Sequence, residues 1–183
     1  LLELSVHQTH RHWHDRLTPQ VMRWFGLRSV VNACVASSFA LRRKDVAPDA
    51  VYVLALLQDI GILVMSHEFG ERYTHLLERL LSVAHLQLEH LEKTEFLFTP
   101  ADVSAALLQK WEFPASMIQL VLEHHNSPER AGQADRKFLH LMQIGEGVAN
   151  LRDVPSPQRH HRFQRLLEES EVTSSGGGKA CLA

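Results

Sequence analysis

Asp59 is the side chain in this sequence whose setting most demands an explanation. It lies in Leu54-Ala55-Leu56-Leu57-Gln58-Asp59-Ile60-Gly61-Ile62-Leu63-Val64-Met65, a carboxylate inside an otherwise apolar run. A carboxylate removed from water needs hydrogen-bonded or charged partners, or a metal ion. His124 and His125 close another apolar stretch and are candidate partners. One carboxylate with one or two imidazoles can hold a metal weakly. The blander reading, which we favour from sequence, is a hydrogen-bonded tie between helices. Adjacent helical residues point about 100° apart, so at most one of the two histidines faces inward. The other is expected at the helix end, beside free carbonyls.

A second histidine group stands near the start. His7, His10 and His14 fall at i, i+3 and i+7, one face of a helix. Such a stripe can bind zinc or nickel or respond to protons, but a polar surface helix is the plainer reading. Other chemistries find little support. Gly176-Gly177-Gly178-Lys179 has no strand before it and no helix after it, so it is not a phosphate loop. Cys34 has no activating neighbour in sequence and reads as a small buried hydrophobe. Arg42-Arg43-Lys44 reads as a solvated helix end.

The elements that must position these residues are helical throughout. Apolar residues make up 45% of the 183 residues, enough for a core, and the formal charge of −2 offers no basic field for nucleic acid or a membrane surface. Two cysteines without metal-ligand spacing fit a reducing compartment, and a cytoplasmic location is expected. Leu1-Leu2-Glu3-Leu4 lacks the pattern of a signal peptide, and starting without Met the chain reads as a stretch of a longer protein.

The spacing predicts a polar, histidine-rich helix over residues 2–16. A second helix follows from Thr18-Pro19 to about Arg43. Pro48 to about Met65 reads as a central buried helix, and Gly61 within it implies close packing or a bend. An amphipathic helix is expected from Phe69 to Leu91. Thr99-Pro100-Ala101-Asp102 is a helix start with a cap, a first-turn proline and a carboxylate. Further helices are expected from Pro114 to His125, Phe138 to Leu151 and Pro157 to Glu169. Trp24, Phe25, Phe39, Phe69, Tyr73, Phe96, Phe98, Trp111 and Phe113 read as core. We therefore divide the chain into an N-terminal helix over 1–20, a helical domain over 21–170 and a Ser/Gly-rich, flexible tail over 171–183.

Three blocks give the chain a family resemblance. Leu56-Leu57-Gln58-Asp59-Ile60-Gly61-Ile62-Leu63-Val64 is similar to L-L-H-D-I-G-K-L-V. Pro100 to Pro114 is similar to H-A-x-V-G-A-x-L-L-x-x-W-x-L-P. Ile118 to Pro128 carries the paired histidines near a helix end. Together they resemble the HDOD family, bacterial signalling domains related to the HD phosphohydrolases. The resemblance implies an all-α, HD-like helical bundle. In active HD enzymes an adjacent His-Asp pair binds divalent metal, which activates water and polarises a phosphoryl oxygen.

The departures are at the chemistry. Gln58 stands where the first histidine of the pair is expected, Ile62 replaces the lysine after I-G, and Pro100 replaces a histidine. No histidine lies near Val31-Asn32, and no aspartate near Met142-Gln143, where active enzymes place further ligands. Glutamine is a poor substitute for imidazole on a transition metal. The resemblance therefore implies a signalling pseudoenzyme without cofactor or metal, acting through protein partners such as receiver or cyclic-dinucleotide-turnover domains, or through a ligand held near Asp59, His124 and His125. The rival is a surviving metal-dependent phosphohydrolase for a nucleotide or cyclic dinucleotide, using Asp59, His124 or His125 with help from Glu123 or His67. A nucleic-acid-binding regulator ranks last, because Arg and Lys are interleaved with Glu.

Overall fold

The protein is described by a computed structural model, covering residues 18–82, 88–128, 132–151 and 156–175. Among these residues there are helices and no strands. The order is α1 (Pro19–Ala40), α2 (Pro48–Leu57), α3 (Gly61–Phe69), α4 (Glu71–Ser82), α5 (Leu88–Phe96), α6 (Pro100–Lys110), α7 (Ala115–Glu123), α8 (Gln133–Asn150) and α9 (Ser156–Ser175). The all-α bundle expected from the sequence is what the chain forms. The His7, His10 and His14 stripe and residues 176–183 lie outside the described residues.

The helix starts follow local chemistry. Thr18 accepts from the Val21 amide, with Pro19 in the first turn of α1. Thr99 and Asp102 form a reciprocal capping box at α6: the Asp102 amide donates to Thr99 Oγ1 at 3.3 Å and the Thr99 amide to Asp102 Oδ2 at 2.7 Å. The run expected as one central helix is two. It breaks at Gln58–Ile60, and Gly61 opens α3. A Cβ on Gly61 would drive into the Pro100 carbonyl, while its amide donates to Ser104 Oγ at 2.8 Å. Both readings of Gly61, close packing and a bend, hold together: the bend brings α3 against the start of α6. Similarly, the expected Phe69–Leu91 helix is α4 up to Ser82, and α5 begins at Leu88. Helix α1 ends at Ala40, short of Arg43, and α9 continues to Ser175, past the expected start of the tail.

Helix α1 packs mainly on α8 and α2, and α6 bridges α3 and α7. Its buried residues serve two apolar clusters. Ala33, Ala36 and Ala40 join Leu54, Leu108, Val121, Leu139 and Met142. Val21, Trp24 and Phe25 join Ile62, Met65, Tyr73, Leu77 and Phe96. Between these two sets α1 buries Arg28, Ser29 and Asn32. The turn between α2 and α3 buries Gln58 and Asp59. A polar seam thus runs between two oily halves. By length and composition Pro48–Phe69 passes for a membrane span, but 56% of its apolar window is buried in the bundle, with Gln58 and Asp59 at its middle.

Several residues assigned to the core face solvent. Cys34 is exposed, and Trp111 and Phe98 are 48% and 37% exposed. Helical spacing identifies a stripe but does not say whether anything covers it.

Candidate functional site: a polar centre around Arg28

The seam converges on one cation. Arg28 Nη1 donates to Asp59 Oδ2, Nη2 to Glu146 Oε1 at 2.7 Å, and Nε to Asn150 Oδ1 at 3.0 Å. The guanidinium also lies 5.7 Å from the Trp24 ring centroid. One planar fork therefore joins α1, the α2–α3 turn and α8. Both ion pairs are nearly out of water, with side-chain exposures of 8% for Arg28, 6% for Asp59 and 13% for Glu146. Arginine suits this role because its fixed donors meet several oxygens at once.

The histidines complete the centre from the end of α7. His124 is fully buried, and His125 is partly exposed. Both rings nonetheless reach the centre, where only one was expected to face inward, because α7 ends at Glu123 and the pair lies past the regular helix. His124 Nδ1 lies 2.6 Å from the Val121 carbonyl, which can only accept, so Nδ1 carries a proton. Its Nε2 faces Asp59 Oδ1 at 3.4 Å. The two rings lie 3.8 Å apart between centroids, and His125 Nδ1 is 3.8 Å from Glu146 Oε2. Gln143 fastens the end of α7, donating to the His124 carbonyl at 2.8 Å and the Asn126 carbonyl at 2.7 Å. Gln58 Nε2 reaches Glu146 Oε2 at 3.4 Å, while its buried Oε1 has no hydrogen-bond partner among the described residues.

The charges set one another's states. Burial opposes ionisation of Asp59, but Arg28, His124 and His125 outweigh it and hold the carboxyl well below its usual range. Burial would push His124 down. The facing Asp59, together with Glu146 and the Val121 carbonyl, raises it above its ordinary value instead. Near neutral pH the centre holds paired ions.

Asp59, His124 and His125 each bring one donor atom to within 4.8 Å of the others, so the sequence-predicted residues do meet. As they stand they do not fit a divalent ion. Asp59 Oδ2 is taken by Arg28 and Oδ1 faces His124, so a metal would have to displace both partners, and any proton on His124 Nε2, before it could be ligated. A metal would have to displace a guanidinium bound on three sides. The other proposed helpers lie elsewhere: Glu123 accepts from Gln119 at the surface, and His67 Nδ1 sits 3.0 Å from Glu68.

Arg28 and Glu146 were not singled out in the sequence. Each left a faint trace. Arg28, Ser29 and Asn32 are the polar residues that recur on one side of an apolar helix. Glu146 follows Met142-Gln143 by one turn and is flanked by Gly145 and Gly147. A Cβ at Gly145 would lie 2.5 Å from the Asn32 carbonyl oxygen, so the glycine permits the approach of α8 to α1.

An HDOD domain family model matches residues 3–127 of this sequence. The chain belongs to the HDOD family. A search of curated proteins finds no match. Solved structures also match. One is an HDOD domain protein of unknown function from Geobacter sulfurreducens, with 18% identity and a TM-score of 0.67 over 88% of this chain and 60% of that one. A second is the MmoQ response regulator of Methylococcus capsulatus, with 21% identity and a TM-score of 0.62 over 83% and 58%. A third is a candidate phosphohydrolase from Shewanella amazonensis, with 16% identity and a TM-score of 0.61 over 80% and 53%. At these identities the likeness is one of fold. This HDOD chain spans between 53% and 60% of the length of those three proteins.

Proposed function

We propose that this HDOD domain is a non-catalytic signalling module, a bacterial cytoplasmic pseudoenzyme that works by binding a protein partner. The observation that carries the reading is the Arg28 guanidinium between Asp59 and Glu146, filling the centre where an active relative would need a metal ion. Gln58 beside it removes a ligand and adds an amide. The naming of one structural relative as a response regulator supports a place near receiver domains. In this reading residues 21–170 form the working domain, with 1–20 and 171–183 as appendages. A partner that repacks α1 would shift a two-state equilibrium by its differential affinity for the two packings.

The rival, a metal-dependent phosphohydrolase, draws on the closeness of Asp59, His124 and His125 and on the candidate phosphohydrolase among the structural relatives. A thermal-shift titration with Mn²⁺, Mg²⁺, Zn²⁺ and Ni²⁺ separates the two. An ion that binds only the folded state at a hundred times its Kd stabilises by about 2.7 kcal/mol. The module reading expects wild type and Asp59→Ala to respond alike. A stabilisation present in wild type and lost in Asp59→Ala would move the hydrolase to the front.

A further inference from the structure

We propose that α9 is a self-association element, pairing antiparallel with α9 of a second copy of this chain. The inference goes beyond the polar centre and does not depend on whether that centre is catalytic. Three observations carry it.

The first is how little of α9 the bundle covers. The helix runs from Ser156 to Ser175, a rod of about 30 Å at 1.5 Å per residue. It packs on α8. There Leu166 occupies the space over Gly147, with Cδ2 2.7 Å from where a Cβ would stand. Every residue from 158 to 165 is exposed, including Phe163 at 39%. Most helical stability in proteins comes from packing of a face rather than from propensity. A helix that is polar nearly all round needs charge pairs or a further element beside it.

The order of the charges is the second observation. Arg159, His160, His161, Arg162 and Arg165 lie in the first half of α9, and Glu168, Glu169 and Glu171 in the second. The first turn has no acidic residue and the last turn no basic one. The helix dipole favours the opposite arrangement, acids first and bases last. Within one helix, Arg165 precedes Glu168 and Glu169, which is the weaker order for a pair three or four residues apart. Stability of the single helix therefore does not account for this order.

The third is self-complementarity. Turning a second copy end for end lays its acidic half along the basic half of the first, and symmetry makes the match twice. The two dipoles then also oppose each other. Crossing the helices between Leu166 and Leu167 sets Arg165 of each chain beside Glu168 of the other, with Phe163 one turn from the crossing. Charge order of this kind sets the orientation of paired helices. A uniformly acidic partner, or an anionic membrane, would match the first half of α9 and be repelled by the second.

The test uses the full chain, sedimented over a concentration series at low and high salt. The variants are a basic-half reversal, Arg162→Glu with Arg165→Glu, and an acidic-half reversal, Glu168→Arg with Glu169→Arg. Arg162→Gln with Arg165→Gln removes the charge without reversing it, and circular dichroism checks that helix content is kept. The expected wild type is a dimer that weakens as salt rises. Each reversal should weaken it by about tenfold or more, because like charges then face each other. The neutral variant should fall between. An equal mixture of the two reversals should recover the dimer, with one chain of each kind. A wild type that stays monomeric throughout overturns the inference. So does a dimer that the reversals leave intact, or one that the mixture fails to recover. Dissociation by Leu27→Ser with Val30→Ser, but not by the reversals, would move the contact to α1 and overturn it as well.

Discussion

Along its inner face α1 buries Trp24, Arg28, Asn32 and Ala36 against the rest of the bundle, whereas Leu27, Val30, Val31 and Cys34 of the same helix stand exposed. The inner face is mixed, with a charged fork and an amide between small and aromatic residues. The outer face is mostly apolar, with Arg23 and Ser38 towards its two ends. A helix apolar on both sides is ordinarily buried on both, and contiguous exposed apolar surface marks interaction sites. The contrast assigns stability and register to the inner face, through ion pairs that reach residues 31 and 118 positions away. On the proposed reading, the outer face is the one left for a partner.

That contrast can be broken most severely at Arg28. Replacing it with Ala strands Asp59 and Glu146, and breaking a buried ion pair from one side costs about 3–5 kcal/mol. A urea unfolding curve should show the loss, and an effect under 1 kcal/mol, the range of exposed pairs, would mean the centre is well hydrated. Next comes Gly145→Ala. Its new methyl would press on the Asn32 carbonyl and the Ala36 Cβ, at 2.5 and 3.0 Å. Overpacking of this kind costs about 1–3 kcal/mol. The loss should appear in the same unfolding assay, without any change in the outer face.

How far these features were legible in sequence follows from how local their causes are. The capping box at Thr99 and Asp102, the prolines at 19, 48 and 100, and the glycine at 61 act within a few residues, and each could be read directly. Asp59 and His124 could be paired because a buried carboxylate must find a partner. Arg28 could not be placed among the solvent-facing or the buried cations, because its partners come from helices far along the chain. Cys34 and Trp111 failed for a related reason: periodicity fixes a face, but only tertiary packing decides whether that face is covered.

The pH dependence sharpens the inner-face side. The folded-state value of His124 is raised, so its stabilisation is complete below about pH 6.5, its unfolded value, and is lost as pH climbs through the folded value. Asp59 is depressed, so its share is present above about pH 4 and is lost as pH falls. Arg28, Glu146 and His125 face the same centre. Urea midpoints at pH 6 and pH 9 should therefore differ more in wild type than in His124→Gln. Equal differences would mean that the folded-state value of His124 is not raised.

The smallest stability effects belong to the outer face. Leu27→Ser and Val30→Ser should change unfolding free energy by no more than about 0.5 kcal/mol. A destabilisation of several kcal/mol would show that this face is covered within the chain itself.

The most direct test of the non-catalytic account is turnover. Wild type and Asp59→Ala should be compared on bis-p-nitrophenyl phosphate and on a cyclic dinucleotide, with Mn²⁺, Mg²⁺ and Zn²⁺ each supplied. The account predicts that the two proteins give the same background with every ion. Hydrolysis by wild type that Asp59→Ala abolishes would contradict it, and would mean that a metal can displace the Arg28 guanidinium in the native protein.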